Sequence, residues 1–351
     1  MKRFLMAAAA VLVSISAFAA TADNDPLKTY ATRALPRCPN STVKLDRMDV
    51  QGPTGFVLYK VTVTSTDEAC GRQTFLLHSP ISNQTLTGTI ITLPDGGGSL
   101  EQRLSSRAAE LLKTPITASV AKFPLPDGVK SVTMTKQTEW GPFNYHGFVD
   151  ASERFLIVGT RGNLLVDPSK TLVESLNAAA GAKRGNKTAK VSIIELSDFQ
   201  CPTCGRAHKK IEPLIAKNLS KVNYTRIDLP LFEHHEWAVS AALGARAIQK
   251  VAPAKYWNYV DFIFKMQETI TKATYDKVLQ DFTSDNDIDW KAVEKIYKSP
   301  AERTAVLEQV SRAFDNSIIS TPTYIINGQA VGYGPEGTFT FDMIRKALGA
   351  K

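Results

Sequence analysis

Two patterns of apolar spacing divide the chain near residue 180. From Val43 to about Val166 the apolar residues come in short runs rich in β-branched and aromatic side chains. Phe56-Val57-Leu58-Tyr59-Lys60-Val61-Thr62-Val63, Thr74-Phe75-Leu76-Leu77 and Phe155-Leu156-Ile157-Val158 are examples, and this is the composition of strands. Turn-forming clusters at Gln51-Gly52-Pro53 and Asp95-Gly96-Gly97-Gly98 punctuate them. One stretch departs from the pattern: Leu100, Leu104, Ala108, Leu111 and Leu112 recur at helical spacing. Leu86-Thr87-Gly88-Thr89 followed by Leu93-Pro94-Asp95 is echoed by Ile157-Val158-Gly159-Thr160 followed by Leu165-Val166-Asp167-Pro168. The echo fits either a duplicated module or two unrelated hairpins that each lead into a helix.

Residues 178–190 are small, polar and basic without periodicity, which predicts a linker. Beyond them the order changes. Val191-Ser192-Ile193-Ile194-Glu195-Leu196 reads as a buried central strand. A helix to about Leu219, a strand at Val222 to Ile227 and several helical segments between Trp237 and Asn316 follow. A strand at Thr323 to Ile326, a turn at Asn327-Gly328, a short strand and a helix at Phe341 to Leu348 come last. Strand, helix, strand, helical insert, hairpin, helix is an α/β order. The expected division is therefore a leader at 1–20, a mostly β, α+β region at 21–177 that holds one or two modules, the linker at 178–190, and an α/β domain at 191–351.

The leader is expected because Lys2 and Arg3 precede an apolar run from Phe4 to Ile15, and Ala17-Phe18-Ala19 offers small residues where a signal peptidase cuts. The run falls short of the ~20 apolar residues needed to span a bilayer. A net charge of +8 is spread among acids without a basic block, which predicts a solvated surface and no nucleic-acid partner. With 351 residues the chain can build true cores, so disulfides need not replace them.

Four cysteines fall into two classes. Cys38 and Cys70 are far apart and read as a structural disulfide, which would close a loop of about 30 residues and add ~3–4 kcal/mol. Cys201-Pro202-Thr203-Cys204 is a tight pair placed where a strand runs into a helix. Unpaired N–H groups and the dipole at such a helix start favour a thiolate, lowering a thiol pKa from ~8.5 into the range ~3.5–7.5. Cys201, at the exposed start, is the expected attacking sulfur; Cys204, a turn deeper, is the resolving one. Pro202 suits an early helical position because its missing N–H is not needed there. Glu195, six residues earlier in an apolar strand, could accept the proton of Cys204, or face solvent from an edge strand. Zinc is the rival use of the pair, with His208 at CxxCxxxH spacing and His234 and His235 downstream. The absence of a second CxxC argues against a closed four-ligand site, and no metal or cofactor is expected. His208 is read as a surface or packing residue, and His234 and His235 as residues that either line the active-site groove or start a helix.

This CxxC after a strand, the acid six residues before it and Thr321-Pro322 ahead of the closing hairpin resemble the thioredoxin superfamily. The helical insert and Asp198-Phe199-Gln200-Cys201 are similar to its DsbA-like periplasmic branch, over about residues 186–351. Glu110 to Leu176, with Phe123-Pro124, Val129-Lys130-Ser131-Val132 and Gly147-Phe148-Val149-Asp150, resembles in order the dimerisation module of the DsbC and DsbG isomerases. The resemblance implies a thioredoxin-like fold with a helical insertion and a cis Pro322. It also implies that Thr321, Pro202 and Thr203 contact substrate, with Cys201, Cys204, Glu195 and Pro322 catalytic. It implies an exported, periplasmic thiol:disulfide oxidoreductase that forms or isomerises disulfides in exported proteins, with a membrane redox partner and a possible homodimer. A redox-inert chaperone or peptide-binding protein on the same fold is the alternative.

Overall fold

The structure, a computed structural model, describes residues 25–35, 41–65, 71–332 and 337–350. The expected leader and both Cys38 and Cys70 lie outside the described residues. The first part is one antiparallel sheet of eight strands: β1 (Thr42–Arg47), β2 (Val57–Thr64), β3 (Arg72–His78), β4 (Gln84–Thr92), β5 (Thr117–Val120), β6 (Lys130–Thr138), β7 (Gly141–Val149) and β8 (Phe155–Asn163). Their spatial order is β1-β2-β3-β4-β8-β7-β6-β5. Two four-stranded meanders thus meet along β4 and β8. A helix precedes each meander: α1 (Pro26–Ala34), begun by an Asp25 cap, and α2 (Leu100–Leu112), begun by a Ser99–Gln102 capping box. Tyr30 and Ala31 of α1 pack with Val61 and Leu76, and Leu104 and Ala108 of α2 pack with Val132, Met134 and Leu156.

The two echoed sequence segments lie side by side at the centre of this sheet. Gly88 pairs directly with Gly159. A Cβ on Gly88 would stand 2.1 Å from the Val158 carbonyl oxygen, and one on Gly159 would stand 2.0 Å from that of Thr87. The shared Gly is required by the close approach of the two backbones.

After α3 (Pro168–Ser175) comes a second sheet in the order β13-β12-β10-β11-β9. Its strands are β9 (Ala182–Gly185), β10 (Val191–Ser197), β11 (Val222–Asp228), β12 (Thr323–Ile326) and β13 (Gln329–Gly332). The β10–β11 pair is parallel and the rest are antiparallel. α4 (Pro202–Ala216) makes the β10–β11 crossover. α5 (Ala238–Val251), α6 (Tyr256–Met266), α7 (Tyr275–Asp285), α8 (Trp290–Tyr297) and α9 (Pro300–Asp315) form the insert, and α10 (Thr338–Ala347) closes the domain. This is a thioredoxin-like α/β fold with a helical insertion behind a mostly β region. Among the described residues no helix is long and apolar enough to cross a membrane.

The linker expected at 178–190 is corrected in part. Residues 182–185 form β9, which pairs with β11 at the edge of the second sheet. An edge strand shows alternate side chains to water, so its polar composition imitates a linker. Its Arg184 bonds Glu212 and lies 3.9 Å over the Trp257 ring, contacts that no local pattern announces.

The two sheets are joined through β7 and α9. Phe143 is fully buried among Tyr145, Phe232 and Phe314 at ring separations of 4.8, 5.1 and 5.8 Å. Around it the Ser311 hydroxyl donates to the Asn144 carbonyl at 2.6 Å, and Thr160 donates to the Asp315 carbonyl at 2.6 Å. Phe143→Ala should therefore destabilise the protein by about 3–5 kcal/mol. Calorimetry should show a clearly lower transition temperature; an unchanged melt would mean the halves unfold without sensing this contact.

Candidate active site

The run Ile193-Ile194-Glu195-Leu196-Ser197 is buried because β10 is the central strand, covered on both faces. The chain leaves it through Asp198-Phe199-Gln200 and enters α4 with Cys201 as the N-cap and Pro202 at the first helical position. This turn is held by side chains rather than by secondary structure. Asp198 Oδ1 accepts the Gln200 N–H at 2.7 Å, and Gln267 Nε2 donates to the carbonyls of Phe199 and Cys201 at 2.7 and 2.9 Å. Gly205 leaves the space that Gln267 occupies, since a Cβ there would meet its Oε1 at 2.4 Å.

Cys201 and Cys204 are both free thiols, yet their surroundings differ. Cys204 has no exposed surface, and burial beside the Cys201 sulfur holds its thiol well above the ordinary value. Cys201 is brought down to about 5, chiefly by hydrogen bonding from Cys204, with help from Thr321. The first sulfur is thus a thiolate at neutral pH and the second a thiol, the division that exchange requires.

Thr321 and Pro322 arrive from the insert side. Their peptide bond is cis, and the Thr321 carbonyl lies 3.6 Å from Cys201 Sγ. Pro202 is exposed and Thr203 half-buried beside the sulfurs. Cys201, Cys204, Pro202, Thr203, Thr321 and Pro322 therefore share one place.

Glu195 keeps different company. It is buried, which removes the edge-strand reading, but its partners are the Tyr224 hydroxyl and Arg226 Nη1, the latter at 3.7 Å. Arg226 has no exposed side chain, reaches Asp228 Oδ1 at 3.0 Å and lies 4.3 Å over the Phe199 ring. Burial raises the Asp228 carboxyl to about 6. The polar groups acting on Cys204 are Cys201, Asp198 and Ser197.

The acid whose backbone contacts the cysteine pair is Asp198. Its N–H points to Cys204 Sγ at 3.4 Å, and its Oδ2 meets the Leu231 N–H at 2.8 Å and His235 Nδ1 at 2.7 Å. His235, read as either a groove-lining or a helix-start residue, bonds this carboxylate. The sequence signal was an acid three residues before Cys201 and a His in a loop, and their meeting is long-range. His208 bonds Asp261 at 2.7 Å and stacks on Phe264.

Residues 178–349 match the family model described as Thioredoxin. The Na(+)/H(+) antiporter NhaA 3 of Salinispora tropica is 28% identical over 149 residues, 42% of this chain and 21% of that protein. The chain thus spans about a fifth of the length of that curated relative. The thiol-disulfide exchange protein alpha-DsbA2 of Wolbachia pipientis superposes with a TM-score of 0.43 at 19% identity, covering 52% of this chain and 94% of that one. BdbD of Bacillus subtilis gives 0.41 at 20% identity, covering 49% and 95%.

Two outcomes follow from this geometry. Alkylation of the reduced protein should occur at Cys201 alone, its rate rising with pH to a plateau with a midpoint of about 5. A midpoint near that of an ordinary thiol would contradict the site as described. Glu195→Gln removes a carboxylate facing Arg226 and should cost about 1–3 kcal/mol in denaturant titration, while the alkylation profile stays unchanged. A shifted profile would return Glu195 to the redox site.

Proposed function

Residues 178–349 form a DsbA-like domain of the thioredoxin superfamily, and from this premise we propose that the protein is an exported thiol:disulfide oxidoreductase. It acts on disulfides or thiols of exported proteins through Cys201 and Cys204. The observation that carries the reading is the opposite treatment of two adjacent sulfurs: Cys201 is lowered to about 5 at a helix start and Cys204 is raised by complete burial. A pure binding protein has no use for that difference.

In the proposed cycle Cys201 exchanges with a client sulfur to give a mixed disulfide, and Cys204 resolves it. The Thr321 backbone beside Cys201 holds the client as an added strand. The eight-stranded sheet adds surface for a client that must stay bound through several exchanges, as forming or isomerising disulfides demands. Lys2, Arg3 and the apolar run after them direct the chain out of the cytoplasm to the periplasm, where a membrane redox partner resets the pair. Cys38 and Cys70 form a structural disulfide in that oxidising compartment.

The test uses single-cysteine variants of the whole chain. Cys201→Ser should abolish exchange with a small disulfide, and Cys204→Ser should accumulate mixed disulfides on Cys201 that mass spectrometry identifies. Mixed disulfides found on Cys204 in the Cys201→Ser protein would reverse the assignment. Exchange that survives both substitutions would end it. Assays on reduced and on scrambled client proteins then separate oxidation from isomerisation.

A further inference from the structure

Next to Cys204 a buried acid, Asp198, holds a half-buried imidazole, His235, that the exchange scheme does not use. Asp198 has no exposed side-chain surface, His235 is 18% exposed, and the Asp198 N–H meets Cys204 Sγ at 3.4 Å. An ionised carboxylate can only accept, so the 2.7 Å contact makes His235 Nδ1 the donor. That leaves Nε2 as the nitrogen that gains and loses a proton. The backbone holds the ring as well: the His235 N–H donates to the Leu231 carbonyl at 3.1 Å, and the Leu231 N–H donates to Asp198.

We propose that His235, oriented by Asp198, is the proton store of the Cys201–Cys204 pair, protonated while Cys201 is a thiolate and deprotonated when the pair is a disulfide. This deepens the reading of the protein as an oxidoreductase and rests on it. Exchange is written here in the direction that reduces a client disulfide. The Cys201 thiolate attacks one client sulfur, a Cys201–client S–S bond forms, the client S–S bond breaks, and the leaving client thiolate takes the proton of His235. Cys204 then passes its proton to the neutral imidazole and attacks the Cys201 sulfur. The mixed disulfide breaks, and the second client thiolate leaves and takes that proton in turn. The client gains two electrons and two protons, and the protein is left with a disulfide and a neutral imidazole. Client oxidation is the reverse.

The charged groups around the ring fit this role. Asp198 and the Cys201 thiolate both favour the imidazolium against the opposing effect of burial, and the balance is upward from the ordinary histidine value. On the ring's own loop Glu233 is turned away to Lys136 and Tyr145 of the first sheet. Asp228, beyond Asp198, faces Arg226. Removing the thiolate by oxidation removes one of the two negative groups that favour the imidazolium, so the imidazole must titrate lower in the oxidised protein.

The test follows the His235 imidazole by NMR across pH in the full-length protein, reduced and oxidised. It should titrate higher in the reduced form, and equal midpoints in the two forms would overturn the proposal. Ultraviolet thiolate absorbance of reduced His235→Gln should show the Cys201 midpoint raised by about one unit, the lower end of the effect of a neighbouring opposite charge. A curve that superimposes on the wild type would equally overturn the proposal. The NMR measurement needs no variant, so it decides the matter even if His235→Gln folds poorly. It also reads the pair without an activity assay, so failure of the wild-type chain to exchange disulfides would strike the functional reading separately.

Discussion

A carboxylate sealed from water must find hydrogen-bond donors in the protein, because an unpaired buried charge costs several kcal/mol. Asp198 meets that condition with three donors from two pieces of chain: the Gln200 N–H of the turn into α4, and the Leu231 N–H and His235 ring of the loop before α5. Its own N–H is directed at Cys204. One residue thus braces the turn that carries Cys201 and contacts Cys204 directly. It fixes how the chain leaves the central strand and where the loop opposite Cys201 comes to rest.

The contrast between the two cysteines is a consequence of depth. Cys201 caps a helix whose free N–H groups stabilise an anion, with Pro202 contributing no N–H of its own. Cys204 is one turn further in, where burial and the neighbouring sulfur both oppose ionisation. Gln267 holds the turn from outside by bonding two of its carbonyls. A residue of the insert therefore helps to shape the redox site, and the insert is more than an appendage on the fold.

The first sheet also reaches the site. Its β6–β7 end sends Lys136 to Glu233 at 2.5 Å, two residues before His235, and packs Trp140 against the cores of the second domain. The aromatic cluster around Phe143 seals the contact. The loop that presents His235 is thus gripped on one side by Asp198 and on the other by the eight-stranded sheet.

By itself the sequence determined much of the element order and the residues of the candidate site, because both are local. Apolar spacing placed many of the strands and helices; for example, Leu100, Leu104 and Ala108 mark α2, and the β-branched runs became β2, β3 and β8. The CxxC at a strand–helix junction was legible as a candidate site, since Cys201 stands at the start of α4 with Cys204 one turn on. Thr321-Pro322 before a short strand was legible in the same way. Tertiary structure decided what depends on meeting at a distance. It turned the apparent linker into edge strand β9 by giving Arg184 a carboxylate and two rings. It set Gly88 against Gly159 and joined the sheets through Phe143. It also gave Glu195 to Arg226 and Tyr224, and brought Asp198 and His235 together next to the cysteine turn. A buried acid in a strand announces only that it needs a partner. Which partner it receives is decided by the strands and loops that close around it, and those come from far along the chain.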